Sequence, residues 1–357
     1  MVSTVTTAAT RAERRAAAAK ARRTAARRRT QATAAGLLTG YLLDAAVGDP
    51  RRLHPVAGYG KAAASLERRM YAPDRTAGAR HAVIAVGVPV LAAAAAAAAT
   101  RRRPLARAAL VAAATWAVLG GRSLRREAQA IADSLEAHDL PEARRRLPNL
   151  CGREPSSLDE SELARATVES VAENTSDAVV APLFWGAVAG LPGLVGYRAV
   201  NTLDAMVGHR NERYARFGTA AARTDDIANL IPSRLTAALT VAASPLVGGH
   251  PGRTAWIWFR DGNRHPSPNA GQCEAAMAGA LGTQLGGRNV YFGHAEDRPY
   301  LGDGRPPAAL DIYRAARLSA AVGAAALAVA VLRTLTGPWW RVLGPGRARR
   351  RGRTTRK

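Results

Sequence analysis

The sequence predicts an all-α protein, a polytopic helical bundle integral to a membrane, with about four to six spans. Long uncharged, alanine-rich runs recur along the 357 residues. Alanine and glycine are small, so helices built from them pack closely in a membrane. Basic clusters stand near both ends of the chain. We expect amphipathic helices and polar loops between the spans.

The firmest candidate span is 82–99, which carries no charge over 18 positions. Roughly 17–25 apolar residues cross the hydrocarbon core, so this run is just long enough. Residues 104–121 follow after three arginines and would pair with it in a helical hairpin. Arg107 would then lie near the membrane edge, where a long cationic side chain can reach water.

Four further apolar segments are weaker candidates for membrane spans by the same criterion of length. Prolines interrupt one of them, because proline removes a helical hydrogen bond. The shorter ones would be tilted, re-entrant or simply buried. These segments are 315–332, 178–197 with Pro182 and Pro192, 33–48, and 235–249. A soluble alanine-rich bundle remains an alternative, since the mean hydropathy is −0.12.

The positive charge is concentrated at the two ends of the chain. The net charge is +24, and most of it lies in residues 11–30 and 341–357. We predict a disordered basic tail over 1–31, a membrane domain over 32–336 and a second basic tail over 337–357. Basic segments that flank spans favour the cytoplasmic side, so both termini are predicted to be cytoplasmic.

Several functional classes lack their signatures. Neither tail has interleaved aromatic residues or a nucleic-acid fold motif, so no nucleic-acid partner is expected. Cys151 and Cys273 stand far apart, which indicates neither a disulfide framework nor a zinc site. No phosphate loop, dinucleotide fingerprint, zincin motif or serine-hydrolase motif occurs.

An acidic stripe precedes segment 178–197. Glu169, Glu173 and Asp177 follow at i, i+4 and i+8 on a predicted helix, with Asn174 beside them. A solvated helix face is the ordinary explanation of such a stripe. Its position at the start of an apolar segment favours a Mg²⁺ site instead, because Mg²⁺ prefers hard oxygen ligands.

A second polar cluster lies in 197–234. Asn201 and Asp204 stand three positions apart and share one helix face. Asp226 and Asn229 have the same spacing, and Asp225 directly precedes Asp226. The arginines between and around them are able to hold phosphate oxygens. These are Arg210, Arg213 and Arg223. The alternative is an ordinary membrane helix followed by a charged loop.

Two turns carry further polar residues. His54 precedes Pro55, and Ser267 and Asn269 stand in a Pro/Asn/Gly turn. Turn residues often occur for backbone reasons alone. His54 is a candidate general base, although a lone histidine is more often structural. From the residues alone we predict a membrane-embedded, metal-assisted enzyme that acts on a phosphorylated or anionic substrate.

The polar clusters, taken in order, resemble the CobD/CbiB family of cobalamin biosynthesis, the adenosylcobinamide-phosphate synthases. Four blocks carry the resemblance: "GDPRRLHPV" at 48–56, "GREPSSLDESELARATVESVAENTSDAVVAPLFW" at 152–185, "YRAVNTLDAMVGHRNERYARFGTAAARTDDIANLIPSRLTA" at 197–237 and "SPNAGQCEAAMAGALGTQLGG" at 267–287. Glu154-Pro155 and Gln272-Cys273 depart from the family's usual residues. The basic tails lie outside the resemblance.

The resemblance implies a multi-pass protein of the cell inner membrane that uses ATP and Mg²⁺. The implied reaction joins (R)-1-aminopropan-2-ol or its phosphate to a propionate of adenosylcobyric acid. Membrane lipid surrounds such a protein, and other corrinoid-pathway enzymes are candidate partners. Two alternatives stay open: a Mg-dependent prenyl or alcohol-phosphate transferase, and a non-catalytic corrinoid carrier or scaffold.

Roles follow as hypotheses on this resemblance. The candidate catalytic residues are His54, Glu173 and Asp226. The candidate metal ligands are Glu169, Asp177, Asp204 and Asp225. The candidate substrate-binding residues are Asn174, Asn201, Arg210, Arg213, Arg223, Asn229, Ser267 and Asn269.

Overall fold

A computed structural model of the protein describes residues 3–48, 54–209, 211–291 and 294–336, and it describes their side chains except at 3–12 and 289–296. The protein is 79% helical with almost no strand, which confirms the predicted all-α polytopic membrane fold. The described elements are α1 (Ser3–Val47), α2 (Pro55–Met70), α3 (Arg75–Ala99), α4 (Pro104–Val118), α5 (Gly121–Glu136), α6 (Leu140–Arg146), α7 (Glu160–Thr175), α8 (Ala181–Ala189), α9 (Leu191–Val207), α10 (Thr219–Ala243), α11 (Pro251–Asp261), α12 (Ala270–Leu281), β1 (Leu285–Tyr291), β2 (His294–Leu301) and α13 (Ala309–Thr336).

Four helical segments within the described residues are long and apolar enough to cross a membrane. They are Arg75–Ala99, Pro104–Glu136, Thr219–Val247 and Ala309–Thr336. Three of them contain the predicted spans 82–99, 104–121 and 315–332, and Thr219–Val247 contains most of segment 235–249. Large apolar side chains are exposed on these helices, as expected where lipid replaces water. Examples are Val83, Val88 and Leu91 on α3 and Leu332 on α13.

Segment 178–197 is not among these spans. A π-helical turn at Ser176–Val180 leads into α8, and Gly190, with φ of 65°, separates α8 from α9. Both prolines lie in the first turns of α8 and α9. Proline is tolerated there, because the first amides of a helix have no partner within the helix. The prediction that Pro182 and Pro192 interrupt this segment is therefore wrong, because Gly190 separates the two helices.

Residues 3–31 are helical rather than disordered, which corrects the prediction for the N-terminal tail. Helix α1 runs unbroken from Ser3 to Val47 and so crosses the predicted boundary at residue 31. Alanine and arginine are strong helix formers, and this composition outweighs the repulsion between the charges. The apolar half, 33–47, is a packed helix outside the candidate spans. The predicted tail 337–357 lies outside the described residues.

Small residues let α1 and α4 approach closely. A Cβ added at Gly36 would lie 2.6 Å from the Val111 Cβ, and one at Gly40 would lie 2.6 Å from the Ala112 carbonyl oxygen. Both contacts are too short for any side chain. Arg107 of α4 also reaches Thr33 of α1, with 3.0 Å between Nε and Oγ1. Because the contacting positions increase together along the two helices, α1 and α4 run side by side in the same direction.

Helix α3 runs antiparallel to α9 and defines two ends of the bundle. Gly196 of α9 packs beside Val90, and Gly78 packs against the Phe217 carbonyl, ten residues beyond the end of α9. Near the other end of α3, Arg107 Nη1 donates to the Ala97 carbonyl at 3.2 Å. The turn at 208–218 and the α3–α4 connection thus lie at opposite ends of α3.

Candidate functional site

A polar cavity of about 350 Å³ lies where α7, α9, α10, α12 and β2 meet. The structure brings eight of the predicted site residues to its wall. They are Glu173, Asp177, Asp204, Asp225, Asp226, Asn229, Ser267 and Asn269. The sequence places these side chains up to 96 positions apart, from 173 to 269. Two separate acidic motifs therefore form one site, which we call the acidic cavity.

Amide side chains hold the carboxylates of the acidic cavity in place. Asn201 Nδ2 donates to Asp177 Oδ2 at 3.2 Å and to Asp225 Oδ1 at 3.3 Å, so it links the two acidic motifs. Asn229 Nδ2 donates to Asp225 Oδ2 at 2.9 Å, and its Oδ1 accepts from the Tyr197 hydroxyl at 2.9 Å. Asn201 and Asn229 thus position carboxylates, and their amides are already engaged.

Burial and mutual repulsion shift the proton affinity of the cavity carboxyls. Burial raises the pKa of Asp204 to about 7, and the neighbouring carboxylates of Asp225 and Asp226 add to the rise. Burial likewise raises the pKa of Asp177 well above its usual value, with Asp225 adding to the effect. Burial also raises the pKa of Glu173. A cation or a proton within the cavity would relieve this repulsion.

The donor set fits Mg²⁺ without forming a closed cage. Asp177, Asp204 and Asp225 offer hard oxygens, and Mg²⁺ characteristically keeps several waters beside one or two carboxylates. Across 3–48, 54–209, 211–291 and 294–336, no three His, Cys, Asp or Glu side chains converge as metal ligands. The predicted metal site is therefore a set of carboxylates around an open cavity.

Glu169 lies outside the acidic cavity, unlike the other predicted metal ligands. It is buried, and its Oε2 accepts from Arg153 Nη2 at 2.5 Å. Its Oε1 accepts from the Gly286 amide at 2.7 Å. Both carboxylate oxygens are thus occupied in tying α7 to the 150s loop and to the β-hairpin.

Two further predicted residues have local structural partners. His54 caps α2, since its Nδ1 accepts from the Val56 amide at 3.2 Å. Asn174 Nδ2 donates to the Ser170 carbonyl at 2.9 Å. Neither residue lines the acidic cavity. The structure therefore does not bring these two side chains to the cavity.

The predicted arginines are likewise not part of the acidic cavity. Arg213 pairs with Glu67 at 2.9 Å, and its guanidinium carbon lies 4.4 Å from the centre of the Tyr71 ring. Arg223 is exposed on α10 and does not line the cavity. Arg210 lies outside the described residues. Arg298 of β2 supplies the cationic side chain among the described residues of the acidic cavity wall.

Four polar cavity residues were not predicted from the sequence: Ser176, Ser233, Cys273 and Arg298. Ser233 Oγ donates to Asn269 Oδ1 at 3.1 Å, and Asn269 Nδ2 donates to the Asp226 carbonyl at 2.8 Å. The first three stand inside the sequence blocks that resemble the family, which could have marked them. Arg298 stands outside those blocks, in a hairpin that periodicity did not indicate.

Comparison with known sequences identifies the family. The model of the family described as CobD/Cbib protein matches residues 37–319. This chain belongs to the CobD/CbiB family. The match contains every residue of the acidic cavity. The basic first half of α1 lies before it.

Curated relatives match most of the length of this chain. A cobalamin biosynthesis protein CobD of Mycobacterium tuberculosis (strain CDC 1551 / Oshkosh) is 52% identical over 303 residues, 85% of this chain and 96% of the relative. The protein of that name from Geobacter metallireducens is 49% identical over 78% of this chain and 89% of its own. One from Rhodobacter capsulatus is 40% identical over 79% of this chain and 91% of its own. No solved structure matches. The chain is thus a membrane protein of cobalamin biosynthesis.

Proposed function

We propose that the protein is an adenosylcobinamide-phosphate synthase. It joins the amine of (R)-1-aminopropan-2-ol, or of its phosphate, to a propionate carboxylate of adenosylcobyric acid at the expense of ATP. The observation that carries the proposal is the acidic cavity, which gathers carboxylates, amides and one arginine among its described residues, inside the region matched by the family model.

Amide formation from a carboxylate and an amine needs a leaving group. In the proposed reaction a propionate oxygen attacks the γ-phosphorus of ATP, which gives an acyl phosphate and releases ADP. The amine then attacks the acyl carbon, and the phosphate leaves with that propionate oxygen. The protein's contribution is to orient the reactants and to stabilise the developing charge.

The cavity residues divide these tasks. One or two of the carboxylates of Asp177, Asp204 and Asp225 would hold Mg²⁺, which neutralises phosphate charge when bound. Arg298, the cation among the described residues of the wall, would hold a phosphate or a propionate. The ammonium must lose a proton before it attacks, and Glu173 and Asp226 line the same wall as candidate bases. Ser267 would bind an amide of the corrin ring. Asn269 lines the same wall, but its side chain already bonds Ser233 and the Asp226 carbonyl and would position the site instead.

The test is an omission series on purified, detergent-solubilised protein. Adenosylcobyric acid, aminopropanol phosphate, Mg²⁺ and ATP are supplied together, and then each is left out in turn. We expect a corrinoid heavier by the amide-linked group, and we expect its loss when ATP is left out. Corrinoid binding without product or ATP use would favour a carrier or scaffold. Lipid-dependent turnover without corrinoid binding would favour the prenyl or alcohol-phosphate transferase.

Asp204 provides a prediction on pH and stability. Its folded pKa of about 7 exceeds its ordinary value of 3.8. The ionised form is therefore disfavoured in the fold, and the cost appears as the pH rises from about 4 through 7. We expect Asp204→Asn to raise the midpoint of thermal unfolding at pH 8 and to leave it unchanged near pH 3.5, while lowering turnover. An equal shift of the midpoint at both pH values would show that ionisation is not the cause.

The inner membrane is the proposed location, with both termini in the cytoplasm. Arg101, Arg102 and Arg103 join α3 to α4 and lie at the same end of the bundle as the basic half of α1. The positive-inside rule then places the opposite end of α3, next to the turn at 208–218, on the outer side. The acidic cavity, whose wall includes Asp204 and Gly208 at the end of α9, would then lie nearer the outer side, and cytoplasmic ATP would have to reach it through the bundle from the inner end.

Cysteine labelling tests this orientation. Arg75 and Arg102 are exposed at opposite ends of α3. In intact cells, a membrane-impermeant maleimide should label Arg75→Cys, and should label Arg102→Cys only after permeabilisation. The wild type, with Cys151 and Cys273, gives the background signal. The reverse pattern would contradict cytoplasmic termini. The 208–218 end would then face the cytoplasm, and ATP would reach the acidic cavity from that end.

A further inference from the structure

A second polar cavity lies at the other end of the bundle, about 250 Å³ in volume. Its wall combines three guanidinium groups with three threonine side chains from α1, α4 and α13. These are Arg29, Thr30, Thr33, Arg107, Arg333 and Thr334. No carboxylate is among its described lining residues. We call it the arginine cavity.

Arg107 is held in a fixed position by neutral partners. Its Nε donates to Thr33 Oγ1 at 3.0 Å, and its Nη1 donates to the Ala97 carbonyl at 3.2 Å. Arg29 lines the same space from α1, and its Nε donates to the Ala25 carbonyl at 3.2 Å. Neutral acceptors orient these guanidiniums without cancelling their charge. An anion with several oxygens would neutralise that charge, and it would accept hydrogen bonds from the guanidiniums and the threonines.

The arginine cavity is next to an apolar one. A cavity of about 520 Å³ is lined mainly by alanine and other apolar side chains of α2, α3, α4 and α9. Leu110 lines it one turn after Arg107, and Leu191 lines it directly after Gly190 of the arginine cavity. Both α3 and α4 are candidate spans. The apolar space therefore lies at membrane depth, beside a cationic site at the membrane edge.

The surrounding surface is also basic. A wider concavity of about 1080 Å³ shares Arg29 with the arginine cavity. Its basic lining residues are Lys20, Arg22, Arg28, Arg29, Arg101 and Arg102. Basic residues beside a membrane are attracted to an anionic lipid surface. The ligand is thus expected to be an amphiphile with a negative headgroup.

We propose that this end of the bundle binds an anionic glycerophospholipid. The lipid phosphate lies between Arg29, Arg107 and Arg333, and one acyl chain enters the apolar cavity beside α3 and α4. The proposal is independent of the reaction in the acidic cavity. It assigns the polar half of α1, which precedes the family match, a role in binding the membrane surface.

Native mass spectrometry of the purified protein in nanodiscs tests the proposal. The probes are phosphatidylglycerol, phosphatidylcholine of the same chain length, and inorganic phosphate. We expect phosphatidylglycerol to remain bound and to raise the unfolding temperature, and the other two to do neither. The double variant Arg29→Gln with Arg333→Gln should weaken phosphatidylglycerol binding by about 30-fold, since each basic residue lost near an anionic surface weakens binding about fivefold.

The matched control is Arg14→Gln with Arg15→Gln, which removes two exposed charges of α1 away from the cavity. It should weaken binding much less than the cavity variant. Equal losses from the two double variants would overturn the site in favour of diffuse attraction. Equal stabilisation by inorganic phosphate would overturn the lipid in favour of a free anion. Turnover of both variants in detergent reports that the fold is intact.

Discussion

Replacing Asp226 by asparagine is expected to abolish turnover while the protein stays folded in the membrane. Asp226 lines the acidic cavity beside Asp204 and Asp225, where its charge would bind the metal or accept a proton. The contact that ties it to Asn269 uses the Asp226 backbone carbonyl, which the substitution keeps. Loss of a general base alone slows a reaction by roughly 10²–10⁴-fold.

Glu212→Gln is the control for this variant. Glu212 is exposed and lies outside the cavity wall, so the same change of carboxylate to amide should leave turnover near that of the wild type. Both variants should elute alike in size-exclusion chromatography and unfold at similar temperatures. Near-normal turnover of Asp226→Asn would remove Asp226 from the proposed machinery.

Replacing Arg153 by methionine is expected to destabilise the protein by about 3–5 kcal/mol, because it leaves the buried Glu169 without its cationic partner. Arg153 and Glu169 are both nearly inaccessible to solvent, and they meet at 2.5 Å. The free energy of unfolding in mild detergent measures the loss.

The double variant Arg153→Met with Glu169→Gln separates a structural role of Glu169 from metal binding. Removing both charges should recover much of the lost stability, since no buried charge is left unpaired. The Mg²⁺ concentration for half-maximal turnover should stay at the wild-type value. A large increase in that concentration, with stability recovered, would show that Glu169 is a metal ligand after all.

Segments with a single strong signal were predictable from the sequence. The uncharged length of 82–99 was enough to place a span, and the acidic residues at helical spacing marked both sides of the cavity. Helical spacing puts residues on one face of their own helix. It does not state which other helix that face meets, so the bridge from Asn201 to Asp177 and Asp225 needed the structure.

The predictions for Glu169, His54 and Arg213 show why residue type alone is insufficient. Each has the chemistry of a site residue, but each is held elsewhere by close partners. Those partners, Arg153 and Glu67 among them, carried no signal of their own in the sequence. Arg298 is the opposite case, because its strand reaches the cavity only through tertiary packing.

The most direct measurement of ATP-dependent ligation follows a single oxygen atom. Adenosylcobyric acid labelled with ¹⁸O in the reacting propionate is converted with ATP and aminopropanol phosphate, and the corrinoid and phosphate products are examined by mass spectrometry. The proposed reaction predicts an amide product and one ¹⁸O transferred to the phosphate group that activated the carboxylate. Amide product with both the phosphate and the released nucleotide unlabelled would contradict activation by ATP, and no product from the complete mixture would contradict the synthase itself.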